Sequence, residues 1–133
     1  MACPVQCVPI VLLLANDPST AARAATLTTD HGTINVKNPS KVIGDRDTSL
    51  NLRYKTGRSL SYENKDVLAA KDPKTIHLPS ISMNSSFIFA KSDLFFAYPN
   101  NYNHYVSYYR NTYQHGGVSL EEMIIPFVVL NPK

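Results

Sequence analysis

The sequence predicts an α/β fold, because short apolar runs typical of strands occur in the same chain as a segment with helical spacing. Its 133 residues suffice for one compact domain with its own core and leave no room for two. Strand-like runs lie at residues 24–29, 33–37, 86–90, 94–98 and 123–130, separated by polar segments and turn residues. We therefore expect one mixed domain, or a piece of one.

The first 25 residues differ in composition from the rest, being alanine-rich and without a clear period. We interpret residues 1–25 as a loosely attached lead-in. Their apolar run at 8–15 contains Pro9, is too short to span a bilayer, and follows no basic residue of the kind a secretory signal requires. Cys3 and Cys7, the only cysteines, cannot form a disulfide framework and indicate a reducing compartment. We expect a cytoplasmic protein with no membrane partner, and a lipoprotein-like Cys7 is a minor alternative.

The next elements are predicted from local patterns. Residues 24–29 read as a short buried strand, and residues 33–37 alternate as a second strand. Asn38, Pro39 and Ser40 indicate a turn, and residues 41–60 are polar and basic, as in a loop.

The second half contains the clearest local patterns. Residues 61–68 favour another short element, and residues 86–90 and 94–98 predict a hairpin because three residues separate them. Residues 103–113 place Tyr105, Val106, Tyr109 and Tyr113 near helical spacing, which predicts a short amphipathic helix. Residues 123–130 then read as a buried terminal strand.

The net charge of +3 comes from 13 basic and 10 acidic residues that are scattered along the chain. Scattered charge does not favour nucleic-acid binding by itself, but it is compatible with a phosphate-bearing ligand.

Asp30, His31 and Gly32 form the first candidate metal site. A carboxylate and an imidazole are both ligands for zinc, and the glycine permits a sharp turn that directs both side chains into one cavity. Taken alone, this triplet is more often an ordinary turn.

His115 is the second candidate, since Gly116 and Gly117 after it permit close backbone approach. Ser119 and Glu122 have the spacing of a capping box at the start of a helix. The alternative is a histidine at a helix end followed by a glycine stop.

Basic residues after the first motif are candidates for binding an anionic substrate. Arg46, Arg53 and Lys55 suit phosphate oxygens, although solvated surface charge is the more frequent explanation for any one of them. His104 is either a ligand, a phosphate-binding residue or a packed histidine, and His77 is expected to be structural or exposed. The tyrosines around 98–113 can stack on a base, but core and rim positions are more frequent.

Four motifs in order resemble a known family: Thr28-Thr29-Asp30-His31-Gly32-Thr33, then Gly44-Asp45-Arg46 with Asn51-Leu52-Arg53-Tyr54-Lys55, then residues 98–105, then residues 114–126. Together they look like the C-terminal part of a PglZ domain of the alkaline phosphatase superfamily. The resemblance covers residues 26–133 and is closest to PorX-like response regulators, which join a receiver domain to a PglZ domain and are associated with type IX secretion.

The resemblance implies a partial alkaline-phosphatase-like sheet with flanking helices and a phosphoesterase that uses two zinc ions. Asp30 and His31 match the ligands of one metal, and His115 matches a ligand of the other. It implies a phosphoester substrate, with an oligonucleotide plausible. From side-chain chemistry we expect Arg46, Arg53, Lys55 and His104 to contact that substrate, and a homodimer of the parent protein is a further expectation.

The departures from the family pattern concern the residues that precede Asp30. The pattern needs a Thr or Ser nucleophile, a further Asp and an Asp-x-x-x-His pair, and none is identifiable in residues 1–29, where Asp17 has no histidine four positions later. We expect a C-terminal fragment that is inactive alone. The alternatives are a non-catalytic binding or dimerisation module and a small metal-binding protein unrelated to hydrolysis.

Overall fold

The computed structural model describes residues 10–16, 23–80 and 84–131. Within them lie ten strands and two α-helices, together with 3-10 turns at Asn64–Asp66 and Pro73–Ile76. In chain order the elements are β1 (Ile10–Asn16), β2 (Arg23–Thr29), β3 (Ile34–Val36), β4 (Asn38–Lys41), β5 (Tyr54–Gly57), β6 (Val67–Ala70), β7 (Ser86–Ala90), β8 (Leu94–Ala97), α1 (Tyr102–Tyr109), β9 (Thr112–Gln114), α2 (Leu120–Met123) and β10 (Phe127–Leu130). The interpretation of Cys3 and Cys7 lies outside these residues.

The strands form four small sheets. The first has the order β1-β2-β10 and the second the order β5-β7-β6, both antiparallel, while β3 pairs with β9 antiparallel and β4 with β8 parallel. Small sheets of both kinds together with short helices confirm the predicted α/β class.

Two apolar clusters fill the centre of the molecule. One contains Val42, Val67, Ile88, Ala90 and Phe96, and the other contains Ile34, Val36, Phe95 and Ala97. The neighbouring residues Phe95 and Phe96 point into different clusters because successive side chains of a strand face opposite sides. β8 is therefore the strand on which both clusters are built.

Helix α1 follows the predicted amphipathic pattern. Tyr102, Val106 and Tyr109, at positions i, i+4 and i+7, pack against the second cluster. The tyrosines between them, Tyr105 and Tyr108, are exposed, so the tyrosine-rich helix has the core and rim positions that we favoured. The helix ends at Tyr109, because Asn111 takes a left-handed backbone conformation with a φ of 63°.

The predicted hairpin is wrong, although both of its strands exist. β7 pairs with β5 and β6, and β8 pairs with β4. The connection between β7 and β8 is instead occupied by a side chain: the Arg53 guanidinium group donates to the carbonyl oxygens of Ala90, Ser92 and Leu94. The main chain before β5 also bonds to both strands, because the Ala90 N–H donates to the Arg53 carbonyl and the Phe96 N–H donates to the Leu52 carbonyl.

Three other local predictions are corrected. Residues 38–40 are not a turn but part of β4, which accepts Pro39 because its only strand partner is β8. The predicted loop at 41–60 contains β5. The terminal strand is shorter than predicted, and all four residues of β10 are exposed rather than buried, because no described element covers either face of it.

Part of the predicted lead-in is built into a sheet. β1 pairs with β2 over seven residue pairs, from Ile10 with Thr29 to Asn16 with Arg23. The domain boundary at residue 25 stays a prediction. Among the described residues, no helix has the length and apolar character needed to cross a membrane.

Candidate metal site

The Asp30-His31-Gly32 corner connects two sheets. β2 ends at Thr29 and β3 begins at Ile34, so the corner lies where the chain leaves the first sheet. Two hydrogen bonds attach it to the C-terminal segment: Thr28 Oγ1 donates to the Pro126 carbonyl (2.9 Å), and the Gly32 N–H donates to the Glu122 carbonyl (3.0 Å). These bonds therefore attach the corner to the C-terminal segment through the residues on either side of Asp30 and His31.

Asp30 and His31 are oriented toward each other. The His31 backbone N–H donates to Asp30 Oδ1 (3.0 Å), and His31 Nε2 lies 3.6 Å from Asp30 Oδ2. His31 Nδ1 lies 3.0 Å from the Gly32 carbonyl oxygen, a hydrogen bond in the tautomer or charge state that carries a proton on Nδ1.

His115 is brought to this corner by strand pairing. β9 pairs with β3 in a register that places Gln114 opposite Ile34, so the residue after β9 lies beside the residues before β3. The imidazole rings of His31 and His115 stack with centroids 4.0 Å apart and planes 15° apart. The structure thus places the three predicted metal ligands together.

The donor set fits a zinc ion only in part. Two ligands at zinc bond lengths in a tetrahedron lie about 3.3 Å apart, and the Nε2–Oδ2 separation of 3.6 Å is close to this value. Within the described part of the chain, however, no three His, Cys, Asp or Glu side chains are arranged to hold one metal ion. Asp30 and His31 are spaced as two ligands of one zinc ion would be. His115 contacts His31 through its ring face.

Arg53 requires a correction, because the sequence predicted that it binds substrate. Its side chain is 0 % exposed and forms a bidentate ion pair with Glu122, with Nη2–Oε2 at 2.6 Å and Nε–Oε1 at 2.9 Å. The guanidinium group also contacts the β7–β8 connection described above. A substrate phosphate cannot reach it in this structure.

The other candidate substrate residues occupy separate places. Lys55 is buried, donates to the Ser49 carbonyl (2.7 Å), and has a pKa lowered to about 8 by burial. Arg46 is exposed in a turn. His104 is exposed on α1, where its ring contacts Tyr105 and Tyr108. Their roles in substrate binding stay predictions, and His77 is exposed, as expected.

Glu122 is the residue at this site that sequence reasoning missed. The predicted capping box is present, with Ser119 and Glu122 in its two roles. Burial alone would raise the pKa of Glu122, but hydrogen bonds from Arg53, Ser119 and the Gly117 N–H, with the charge of Arg53, outweigh it and lower the pKa. The capping pattern was the only sequence signal, and it does not indicate a partner 69 positions away.

A cavity of about 860 Å³ lies next to the corner. Its wall includes Thr33, Tyr113 and Glu121, which are close in sequence to His31, His115 and Glu122. Lys37 and Lys91 also line the cavity, together with the oppositely charged Asp93 and Glu121. None of the three predicted ligands lines this cavity itself.

The mixed small sheets and the Asp-His corner define a partial α/β protein of the alkaline-phosphatase-like class. A comparison with models of protein families matches residues 10–130, which are 121 of the 133 residues, to the BREX system PglZ alkaline phosphatase-like domain. The chain belongs to this PglZ family, as its motifs predicted. No curated protein matches the chain significantly. Proteins of the alkaline phosphatase-like superfamily generally depend on metal ions.

Proposed function

We propose that this chain supplies metal ligands for the hydrolysis of a phosphoester, with zinc as the metal. Asp30 and His31 hold one ion, and His115 is a ligand of a second. The observation that carries the proposal is the convergence of these three side chains from β2 and β9 at one corner. Zinc held there would supply charge stabilisation to the attacking and leaving oxygens of the displacement and would lower the pKa of the nucleophile.

The stacking of the His31 and His115 rings, with centroids 4.0 Å apart, places both imidazoles where they would serve one metal centre. A protonated Nδ1 on His31 leaves Nε2 as the ligand atom, which is the second-sphere arrangement that ligating histidines usually have.

We further propose that the chain does not turn over substrate alone, because residues 1–29 contain no identifiable nucleophile of the family pattern and the described residues hold no three-ligand metal site. In this proposal the parent protein is a response regulator of the PorX type, linked to type IX secretion, and its substrate is a phosphodiester such as an oligonucleotide. The support for these finer points is the resemblance of the four motifs.

Zinc titration of the purified chain by calorimetry tests the metal site. We expect Asp30→Ala and His115→Ala to weaken zinc binding at least tenfold, since each removes a ligand. His77→Ala is the matched control, because His77 is an exposed histidine directly after a 3-10 turn and has no assigned role. Equal zinc affinity in all four proteins would contradict the assignment.

Hydrolysis of bis(p-nitrophenyl) phosphate tests the inactivity of the chain. With zinc present, we expect no turnover above that of zinc in buffer. Turnover that disappears in Asp30→Ala would overturn this expectation and assign catalysis to the chain itself.

A second candidate function is a protein-binding or dimerisation module. The specific observation that favours it is the exposure of apolar side chains along α2 and β10. Exposed apolar surface of this extent is typical of an interaction surface. Sedimentation of the zinc-free chain over a range of concentrations separates a self-associating module from a monomer.

A further inference from the structure

The buried ion pair between Arg53 and Glu122 lies between the two segments that carry the predicted metal ligands. Both side chains are buried, at 0 % and 6 % exposed, and they meet through two hydrogen bonds. A bidentate arginine–carboxylate pair fixes the relative orientation of both groups as well as their distance.

Glu122 contacts the segment that follows His115 through its side chain. Oε1 accepts from the Gly117 N–H (2.9 Å), and Oε2 accepts from the Ser119 N–H (3.1 Å) and the Ser119 hydroxyl (2.6 Å). These bonds fix residues 117–119, which begin two positions after His115.

Glu122 contacts the other segment through its main chain. Its carbonyl oxygen accepts from the Gly32 N–H (3.0 Å), directly after Asp30 and His31. One residue therefore binds both halves of the predicted site, with its side chain on one and its backbone on the other.

Arg53 anchors this arrangement in the core. Its guanidinium group donates to three carbonyl oxygens of the β7–β8 connection, from Ala90, Ser92 and Leu94. Ala90 belongs to the first apolar cluster, so the position of Glu122 is fixed relative to rigidly packed strands.

Two glycines make the close contacts possible. A Cβ at Gly117 would lie 2.5 Å from Arg53 Nη2 and 2.8 Å from the Ala90 carbonyl oxygen. A Cβ at Gly32 would overlap the Glu121 carbonyl oxygen. Gly117 thus approaches the ion pair, and Gly32 approaches the main chain of Glu121, more closely than a residue with a side chain permits.

We propose that Arg53 and Glu122 are positioning residues that set the separation between the Asp30-His31 corner and His115. The inference rests on the proposed function, because its importance depends on these residues being metal ligands. Arg53 acts through Glu122 and touches neither substrate nor metal, which replaces the substrate contact that the sequence predicted for it.

The test compares Glu122→Gln with the full wild-type chain. Glutamine has the same shape but lacks the charge, so it keeps the packing and weakens both the ion pair and the bonds to residues 117–119. We expect the nuclear Overhauser contact between the His31 and His115 rings in the zinc-free protein to weaken strongly, and zinc affinity to fall at least tenfold. Retention of both would overturn the proposal.

A control separates positioning from general stability. Ile88→Ala removes volume from the first apolar cluster, where Ile88 is 0 % exposed, and leaves every bond of Glu122 intact. We expect this variant to lose stability but keep the ring contact and the zinc affinity. If Ile88→Ala loses them as Glu122→Gln does, the ion pair is merely structural and the proposal fails.

A milder variant decides the question if Glu122→Gln does not fold. Ser119→Ala removes one hydroxyl donor and keeps the ion pair, so we expect a weaker ring contact and zinc affinity lowered about threefold. No change in either would overturn the positioning role. Because the ring contact is measured without zinc, it still tests this inference if the wild-type chain binds no zinc and the proposed function fails.

Discussion

Two regions of the molecule treat their apolar side chains in opposite ways. In the packed region, strands β3 to β8, core side chains such as Ile88, Phe95 and Phe96 are at most 1 % exposed. In the apolar edge, residues 120–130, Leu120, Met123, Ile124 and Phe127 are between 63 % and 70 % exposed. The difference teaches that an apolar run predicts a strand or helix but does not predict whether another element covers it.

The predicted metal ligands lie where these two regions meet. Asp30 and His31 follow β2, which pairs with β10 of the apolar edge. His115 follows β9, which pairs with β3 of the packed region. Glu122 belongs to the apolar edge but is itself buried, and its pair with Arg53 joins the edge to the packed region.

We expect the largest loss of stability from breaking the ion pair between Arg53 and Glu122. Arg53→Met leaves the Glu122 carboxylate buried without its charge partner, and we expect the free energy of unfolding to fall by about 3–5 kcal/mol, measured with urea. Replacing both residues, Arg53→Met with Glu122→Leu, should cost less than the single change, because no unpaired charge remains. A double variant as unstable as the single one would show that the hydrogen bonds, rather than the charges, hold the two regions together.

The contacts of Arg53 also show which features of the fold local sequence patterns cannot predict. Local periodicity predicted β2, β3, β7, β8 and α1, because each carries its own apolar pattern. It could not predict that β7 and β8 fail to pair, since both strands bond instead to the main chain of Leu52 and Arg53, and Arg53 lies 37 positions before Ala90.

Only part of the candidate site was predictable from the sequence. Asp30, His31 and His115 were identified from local chemistry and family motifs, and the pairing of β3 with β9 brings them together. The roles of Arg53 and Glu122 were not predictable, because an ion pair between distant residues leaves no local pattern, and a loop arginine beside a predicted site looks like a substrate ligand.

A second test asks whether water is excluded from the packed region around Lys55. The pKa of Lys55 is lowered from 10.5 to about 8 by burial, so its charge destabilises the fold below pH 8. That cost, at most about 3 kcal/mol, should decrease from pH 8 to 10.5, where the folded protein releases a proton that the unfolded chain still binds. We expect Lys55→Met to be more stable than wild type at pH 7, with the difference shrinking over this range.

Urea unfolding at several pH values measures this difference, with the exposed Lys65 changed to Met as the control. Parallel stability curves for wild type and Lys55→Met would show that water reaches the amine, and the packed region would then be less dry than its burial indicates.

The smallest effect should come from the apolar edge. Phe127 is 70 % exposed, whereas Phe95 is 0 % exposed. Phe127→Ser should therefore change the free energy of unfolding by less than about 0.5 kcal/mol, and Phe95→Ala should lower it by about 3–5 kcal/mol. A large loss in Phe127→Ser, combined with a concentration-dependent mass for wild type in sedimentation, would mean that a second copy covers the edge in solution. The apolar edge would then be exposed in the single chain but covered when two copies associate.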